Sequence, residues 1–173
     1  RTVGVRHIWV CLLICFLSSA ASGDDAQKKR LIYNSDADNM FLYVKPPIQP
    51  ADVHEYVDEI AAAGATTCFV CPNYGMVMNY PSKVTEMVGT LLSPEQRSEF
   101  TDSGSERGGS MERMAANLFA LVEAGHDPLG LIIDRAREKQ METFITFRLN
   151  ECHCVDQPQE FPTNLLLSKF WHD

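Results

Sequence analysis

The chain has 173 residues, 45% apolar and 22% charged, which is the balance of a globular protein rather than a disordered or fibrous one. Its 15 Lys and Arg against 23 Asp and Glu leave a net charge of −8. That argues against a nucleic-acid partner, because phosphate binding needs a basic surface.

In chain order, Arg1, Arg6 and His7 precede the apolar run Ile8–Leu17, and small residues follow as far as Gly23. A charged start, a short apolar core and a small-residue cleavage zone are the three parts of a secretory signal. Residues 1–22 are therefore expected to be removed and the mature protein to be secreted. The apolar run is shorter than the roughly 20 residues a bilayer crossing needs, and no second run appears, so no membrane anchor is expected. Residues 23–29 read as a short polar linker, and one folded domain is expected over 30–173. Cys11 and Cys15 leave with the signal, while Cys68, Cys71, Cys152 and Cys154 stay. Four thiols in an oxidising compartment permit three disulfide pairings, and spacing does not choose among them.

Within the domain, Leu31–Tyr33 reads as the first strand, running into polar Asn34–Asp38. Phe41–Val44 reads as an irregular loop before the turn at Lys45-Pro-Pro47. Pro50 then opens a helix with Asp52 in its first turn. Val53, Val57 and Ile60 recur at helical spacing, and Gly64 is its stop. Thr66–Cys71 is β-branched and apolar, the second strand, broken at Pro72. A short helix is expected over Pro81–Val88, and Ser93–Ser110, polar and glycine-rich, reads as a mobile excursion. Met111, Met114, Leu118, Leu121 and Val122 mark an amphipathic helix ended by Gly125. Asp127-Pro128 caps and opens the next helix, carried by Leu129, Ile132, Ile133 and Ala136. Glu142–Leu149 is the third strand. After it, Asp156–Thr163 is broken by prolines, and Leu165–Trp171 starts another apolar element.

The order β-α-β-α-α-β predicts parallel strands joined by helical crossovers, in either an open doubly wound sheet or a (β/α)8 barrel. No Gly-rich fingerprint follows a strand, so a Rossmann or P-loop site is not expected. A complete barrel takes about 250 residues, so about three βα units would be its opening part, truncated at the C-terminus. Chemically capable residues follow every strand: Asn34, Asp36 and Asp38 after the first, Asn73 and Tyr74 after the second, Arg148 to His153 after the third. Parallel α/β folds bind ligands on that edge. Alternation places Thr146, Arg148 and Asn150 on one face of the third strand, toward the mouth. Ile145, Phe147 and Leu149 fall on the other, toward helices. A half-buried Arg148 needs a carboxylate such as Asp36 or Glu151, or else an anionic or polyhydroxylated ligand.

Three segments carry a family resemblance: Tyr80-Pro-Ser-Lys-Val84, Asn117-Leu-Phe-Ala-Leu-Val-Glu-Ala-Gly-His-Asp-Pro-Leu129 and Phe147-Arg-Leu-Asn-Glu-Cys-His153. Through them the chain resembles the glycoside hydrolase-like TIM-barrel proteins of the glycosyl hydrolase-like 10 type. The family pattern Arg-Met-Asn-Asp-x-His is matched at Arg148, Asn150 and His153, with Leu149 in place of Met and Glu151 in place of Asp. Gln140 stands where a helix-ending Gly would be expected. The resemblance implies a TIM barrel and a carbohydrate substrate. Glycoside hydrolysis needs two carboxyl groups, one to protonate the leaving oxygen and one to act as nucleophile or activate water. Glu151 is the expected catalytic residue, and Arg148, Asn150, His153, Asp36 and Asn73 are the expected substrate contacts, with no metal and no cofactor. A non-catalytic carbohydrate-binding barrel is the alternative. A third reading has Cys71, Cys152, His153 and Cys154 coordinating zinc in a metal-dependent hydrolase. Lys83, His54 and His126 read as surface residues.

Overall fold

The stripe Val53, Val57 and Ile60 is buried on one side of a helix, Pro50–Ala62. Proline opens it because the missing N–H would have had no partner in the first turn. Gln49 and Asp52 close a capping box there, with the Gln49 N–H donating to Asp52 Oδ2 at 2.7 Å. A simpler side-chain cap opens Pro128–Glu138, where Asp127 Oδ1 accepts from Leu129 N at 3.0 Å and Gly130 N at 3.2 Å. The computed structural model describes residues 29–36, 39–96, 110–149 and 168–169. Residues 1–28, 37–38, 97–109, 150–167 and 170–173 lie outside the described residues. The expectations placed on them lie outside too: the signal, most of the linker, Asp38, most of the glycine-rich excursion and most of the last apolar element.

In chain order the elements are β1 (Ile32–Asn34), α1 (Met40–Tyr43), α2 (Pro50–Ala62), β2 (Thr67–Val70), β3 (Asn73–Tyr74), β4 (Val77–Met78), α3 (Ser110–Glu123), α4 (Pro128–Glu138) and β5 (Glu142–Ile145). β1, β2 and β5 form a parallel sheet in that order, and β3 and β4 form an antiparallel hairpin. The protein is thus mixed α/β, with an open three-stranded parallel sheet. Registers Tyr33–Cys68–Thr143 and Phe69–Phe144 define its two faces. Tyr33, Cys68 and Val70 join the core with Val53, Val57 and Ile60 of α2 and Ile132 and Ala136 of α4. The Tyr33 and Tyr56 hydroxyls lie 2.9 Å apart, tying β1 to α2. On the other face, Phe69 and Phe144 meet edge to face with centroids 5.4 Å apart, while Ile32 and Phe144 are each 46% exposed. The described helices cover one side of the sheet and leave the other bare.

Two polar anchors hold the helical layer. Asn117, fully buried on α3, donates to Phe41 O (3.0 Å) and Val44 O (2.8 Å) and accepts from Ile48 N (3.0 Å). The loop from α1 to α2 therefore ends its main-chain groups on one side chain. Between α2 and α4, Arg135 grips Asp58 with two 2.7 Å bonds, and Lys139 Nζ adds a third contact at 3.0 Å. The Arg135 hydrogen bonds, against partial desolvation and with help from Lys139, hold the Asp58 carboxyl at about 2, below its ordinary 3.8.

The structure corrects four expectations. Phe41–Val44 is not irregular: Met40–Tyr43 is a single helical turn with Met40, Phe41 and Leu42 buried. One turn is too short for periodicity to register, and its stability comes from packing on α3. Pro81–Val88 is not a helix. Met78 N donates to Glu86 O and Val88 N to Met78 O, both at 2.9 Å, which lays 86–88 alongside β4 in extended form. Ser93–Gln96 is a capped turn, with Ser93 N on Gln96 Oε1 at 2.8 Å and Gln96 N on Ser93 Oγ at 3.2 Å. Finally, Ile145, Phe147 and Leu149 keep the expected alternation but are 52%, 51% and 85% exposed. β5 is an edge strand, and the described helices end short of its far side.

Gln140 ends α4 with φ of +59°, the left-handed conformation that favours glycine. Gln140→Gly should raise stability by about 0.5–1 kcal/mol, read from urea unfolding, and no gain would mean that the side chain offsets the strain. Asp58→Asn should lower the urea midpoint at pH 7. Because the folded pKa is depressed, this contribution is present above 3.8 and lost as pH falls toward about 2. The gap between parent and variant should close over that window, and a gap constant with pH would show that Asp58 acts without its charge.

Candidate functional site

The last β2–β5 rung is Thr146 N to Val70 O, at 2.9 Å. Pro72 then follows, with no N–H to give the ladder, and the central strand leaves the sheet to form the β3–β4 hairpin, turned at Gly75 (φ +59°). The third strand runs on without a described strand beside it. Asn73 fills the position with its side chain: Oδ1 accepts from Arg148 N at 3.0 Å, and Nδ2 donates to Arg148 O at 3.1 Å. A side-chain amide here presents the same donor and acceptor as a peptide unit. The Cys71 thiol lies 3.5 Å from the same Oδ1 and donates to it, and Asn73 is only 2% exposed.

With its main chain fixed, Arg148 sends its guanidinium across the end of β2 to Asp36, just beyond β1. The pair bridges the two outer strands above the central one. Its side chains are 35% and 59% exposed, so water and salt screen the interaction and leave both groups open to a ligand. Beside it lies a pocket of about 210 Å³, lined by Asn73, Gly75, Met76, Met78, Phe147, Arg148 and Leu149. A guanidinium–carboxylate pair above an apolar wall can accept and donate hydrogen bonds to hydroxyls while an apolar ring face packs against Phe147 or the methionines.

Of the residues singled out in the sequence, Asp36, Asn73 and Arg148 are brought together at the C-terminal edge of the strands. Asp36 is the carboxylate that answers Arg148. Asn73 is buried, and both of its polar atoms serve the Arg148 main chain, so what it gives the rim is the position of Arg148 rather than an exposed contact of its own. Asn150, Glu151, His153, Cys152 and Cys154 lie outside the described residues. Cys68 and Cys71 are both buried, the former within the core. Among the described residues, no group of three His, Cys, Asp or Glu is placed to hold a metal. No helix of the described residues is long and apolar enough to cross a membrane.

Sequence reasoning missed the hairpin residues Gly75, Met76 and Met78. The signal was present: a Pro-Asn-Tyr-Gly turn followed directly by Val77 and Met78 is a tight reversal. The second resemblance segment is structural here, since Asn117 ties down the α1–α2 loop and Asp127 caps α4. A scan against models of known protein families finds no match, and no curated protein is found to be similar to the chain.

Asn73→Ala should cost about 2–3 kcal/mol, because two bonds to a main-chain unit are lost in a buried place. Arg148→Met keeps the main-chain pair and loses a half-exposed, screened ion pair, so its cost should stay within about 1 kcal/mol. Urea denaturation of both variants checks this, and equal costs would show that the amide does not carry the edge.

Proposed function

We propose that this chain is the opening part of a (β/α)8 barrel of the glycoside hydrolase-like kind, secreted, whose C-terminal strand edge binds and hydrolyses carbohydrate. The observation that carries the reading is the Asp36–Arg148 pair, which joins the ends of the first and third parallel strands beside an apolar-walled pocket. Strands adjacent in chain order, with described helices on one side only, support the barrel: the bare face with Ile32, Phe69 and Phe144 is the side a closed barrel would turn inward. In this reading Glu151, three residues past Arg148, supplies one of the two carboxyl groups that hydrolysis requires. Asn150 and His153 contact sugar hydroxyls together with Arg148 and Asp36.

One observation favours the binding alternative, in which the rim holds glycan without cleaving it. Asp36 is engaged by a guanidinium, which suits an acceptor of hydroxyl hydrogen bonds better than a proton donor to a leaving oxygen.

The full chain should be screened for glycan hydrolysis and binding beside Glu151→Gln and Arg148→Met. The expected result is turnover that falls about 100-fold or more in Glu151→Gln with binding retained, and weaker binding in Arg148→Met. Binding without turnover in the parent would establish the binding barrel. Neither binding nor turnover in the parent would overturn both readings.

A further inference from the structure

A guanidinium at the mouth of a pocket is a common receptor for a ligand carboxylate. Among the described residues that line the rim pocket, Arg148 is the only charged one. Its guanidinium, however, meets a carboxylate of this chain, that of Asp36. Asn73 adds no charge, and its Oδ1 and Nδ2 are both bonded to the Arg148 main chain. The rest of the wall is Gly75, Met76, Met78, Phe147 and Leu149, none of them ionisable. The charges described at this pocket therefore cancel, one guanidinium against one carboxylate.

We infer, on the carbohydrate reading of the rim, that the sugar seated in this pocket is uncharged and that the Asp36–Arg148 pair rejects acidic and amino sugars alike. A uronate carboxylate could reach Arg148 only beside Asp36 or in its place. The first sets two carboxylates at one guanidinium, and like charges at that range repel. The second competes with a partner tethered by the chain itself, at an effective concentration that a free sugar does not reach. An ammonium meets the mirror image of this problem, with Arg148 as the like charge. The pair is half-exposed, so water and salt reduce the repulsion without changing its sign. Hydroxyls face neither penalty. A guanidinium has five N–H donors and a carboxylate about four acceptor sites, more than one contact between them consumes. A sugar hydroxyl can thus donate to Asp36 or accept from Arg148 without separating the two. Phe147, Met76 and Met78 then supply an apolar wall for the C–H face of the ring.

The test titrates the full chain with neutral oligosaccharides of gluco, galacto and manno configuration and with the uronate and amino-sugar forms of each. Mildly acidic pH keeps both charged forms ionised. Calorimetry gives the affinities, and amide chemical shifts at Gly75, Met76 and Arg148 locate the site. At least one neutral sugar should bind with shifts at those residues, its affinity changing less than about twofold between low and high salt. The matching uronate and amino sugar should bind about tenfold more weakly or worse. Asp36→Asn, an exposed change that leaves the Arg148 charge in place, should raise uronate affinity about tenfold relative to the neutral sugar, and high salt should remove that gain. A uronate or amino sugar that binds the parent as tightly as its neutral counterpart would overturn the assignment while leaving a carbohydrate rim. So would the lack of a relative uronate gain in Asp36→Asn. Binding of none of these sugars would remove the carbohydrate reading itself, and the assignment with it.

Discussion

Between Val70 and Asn73 the central strand leaves the parallel sheet, because Pro72 cannot donate to the ladder and the chain reverses at Gly75. The main chain of Arg148 would then lose its neighbour at the point where the third strand reaches the rim. The Asn73 amide takes the vacated place, giving and accepting one bond each, and is itself held by the Cys71 thiol. The geometry of the whole rim depends on that replacement. It fixes the Arg148 Cα, and only a fixed Cα lets a long side chain cross the end of β2 to Asp36. It also sets the hairpin against Phe147 and Leu149, which makes the pocket.

The helical layer serves the same edge from behind. α2 and α4 cover one face of the sheet through Val53, Val57, Ile132 and Ala136, and Asp58 locks the two helices through Arg135 and Lys139. Asn117 gathers three main-chain groups of the loop that leads from the Asp36 side of the rim into α2. These are buried or half-buried polar contacts at the joints between elements, where a loose joint would move the rim. The opposite face carries Ile32, Phe69 and Phe144 without a described helix over them. The protein therefore presents a polar edge and an apolar wall that meet at the C-terminal ends of the strands, the arrangement on which the proposed carbohydrate site rests.

Much of this was legible in the residues. The helix starts are written in Pro50 and in Asp127-Pro128, and the parallel strands in their alternation with helical stretches. The need of Arg148 for a carboxylate follows from chemistry alone, with Asp36 one of two candidates. The single-turn helix at Met40–Tyr43 was not legible, because one turn has no period to detect and its stability lies in contacts with α3. Nor was the extended path of 86–88, whose hydrogen bonds go to Met78, eight to ten residues back, rather than along the segment. Asn73 reads from the sequence as a polar residue after a strand, and the rim is where it lies. Its pairing with a main chain 75 residues away has no local signature.

By itself, the sequence determined the capped helices, the three parallel strands and the end of the sheet at which its chemistry collects, because caps, periodicity and strand-end polarity act within a few residues of one another. The tertiary structure alone decided which of those polar residues stand open at the rim and which support the others. That choice between Asn73 and Arg148 depends on burial and on partners far away in the chain. Both arise only when the strands and helices come together.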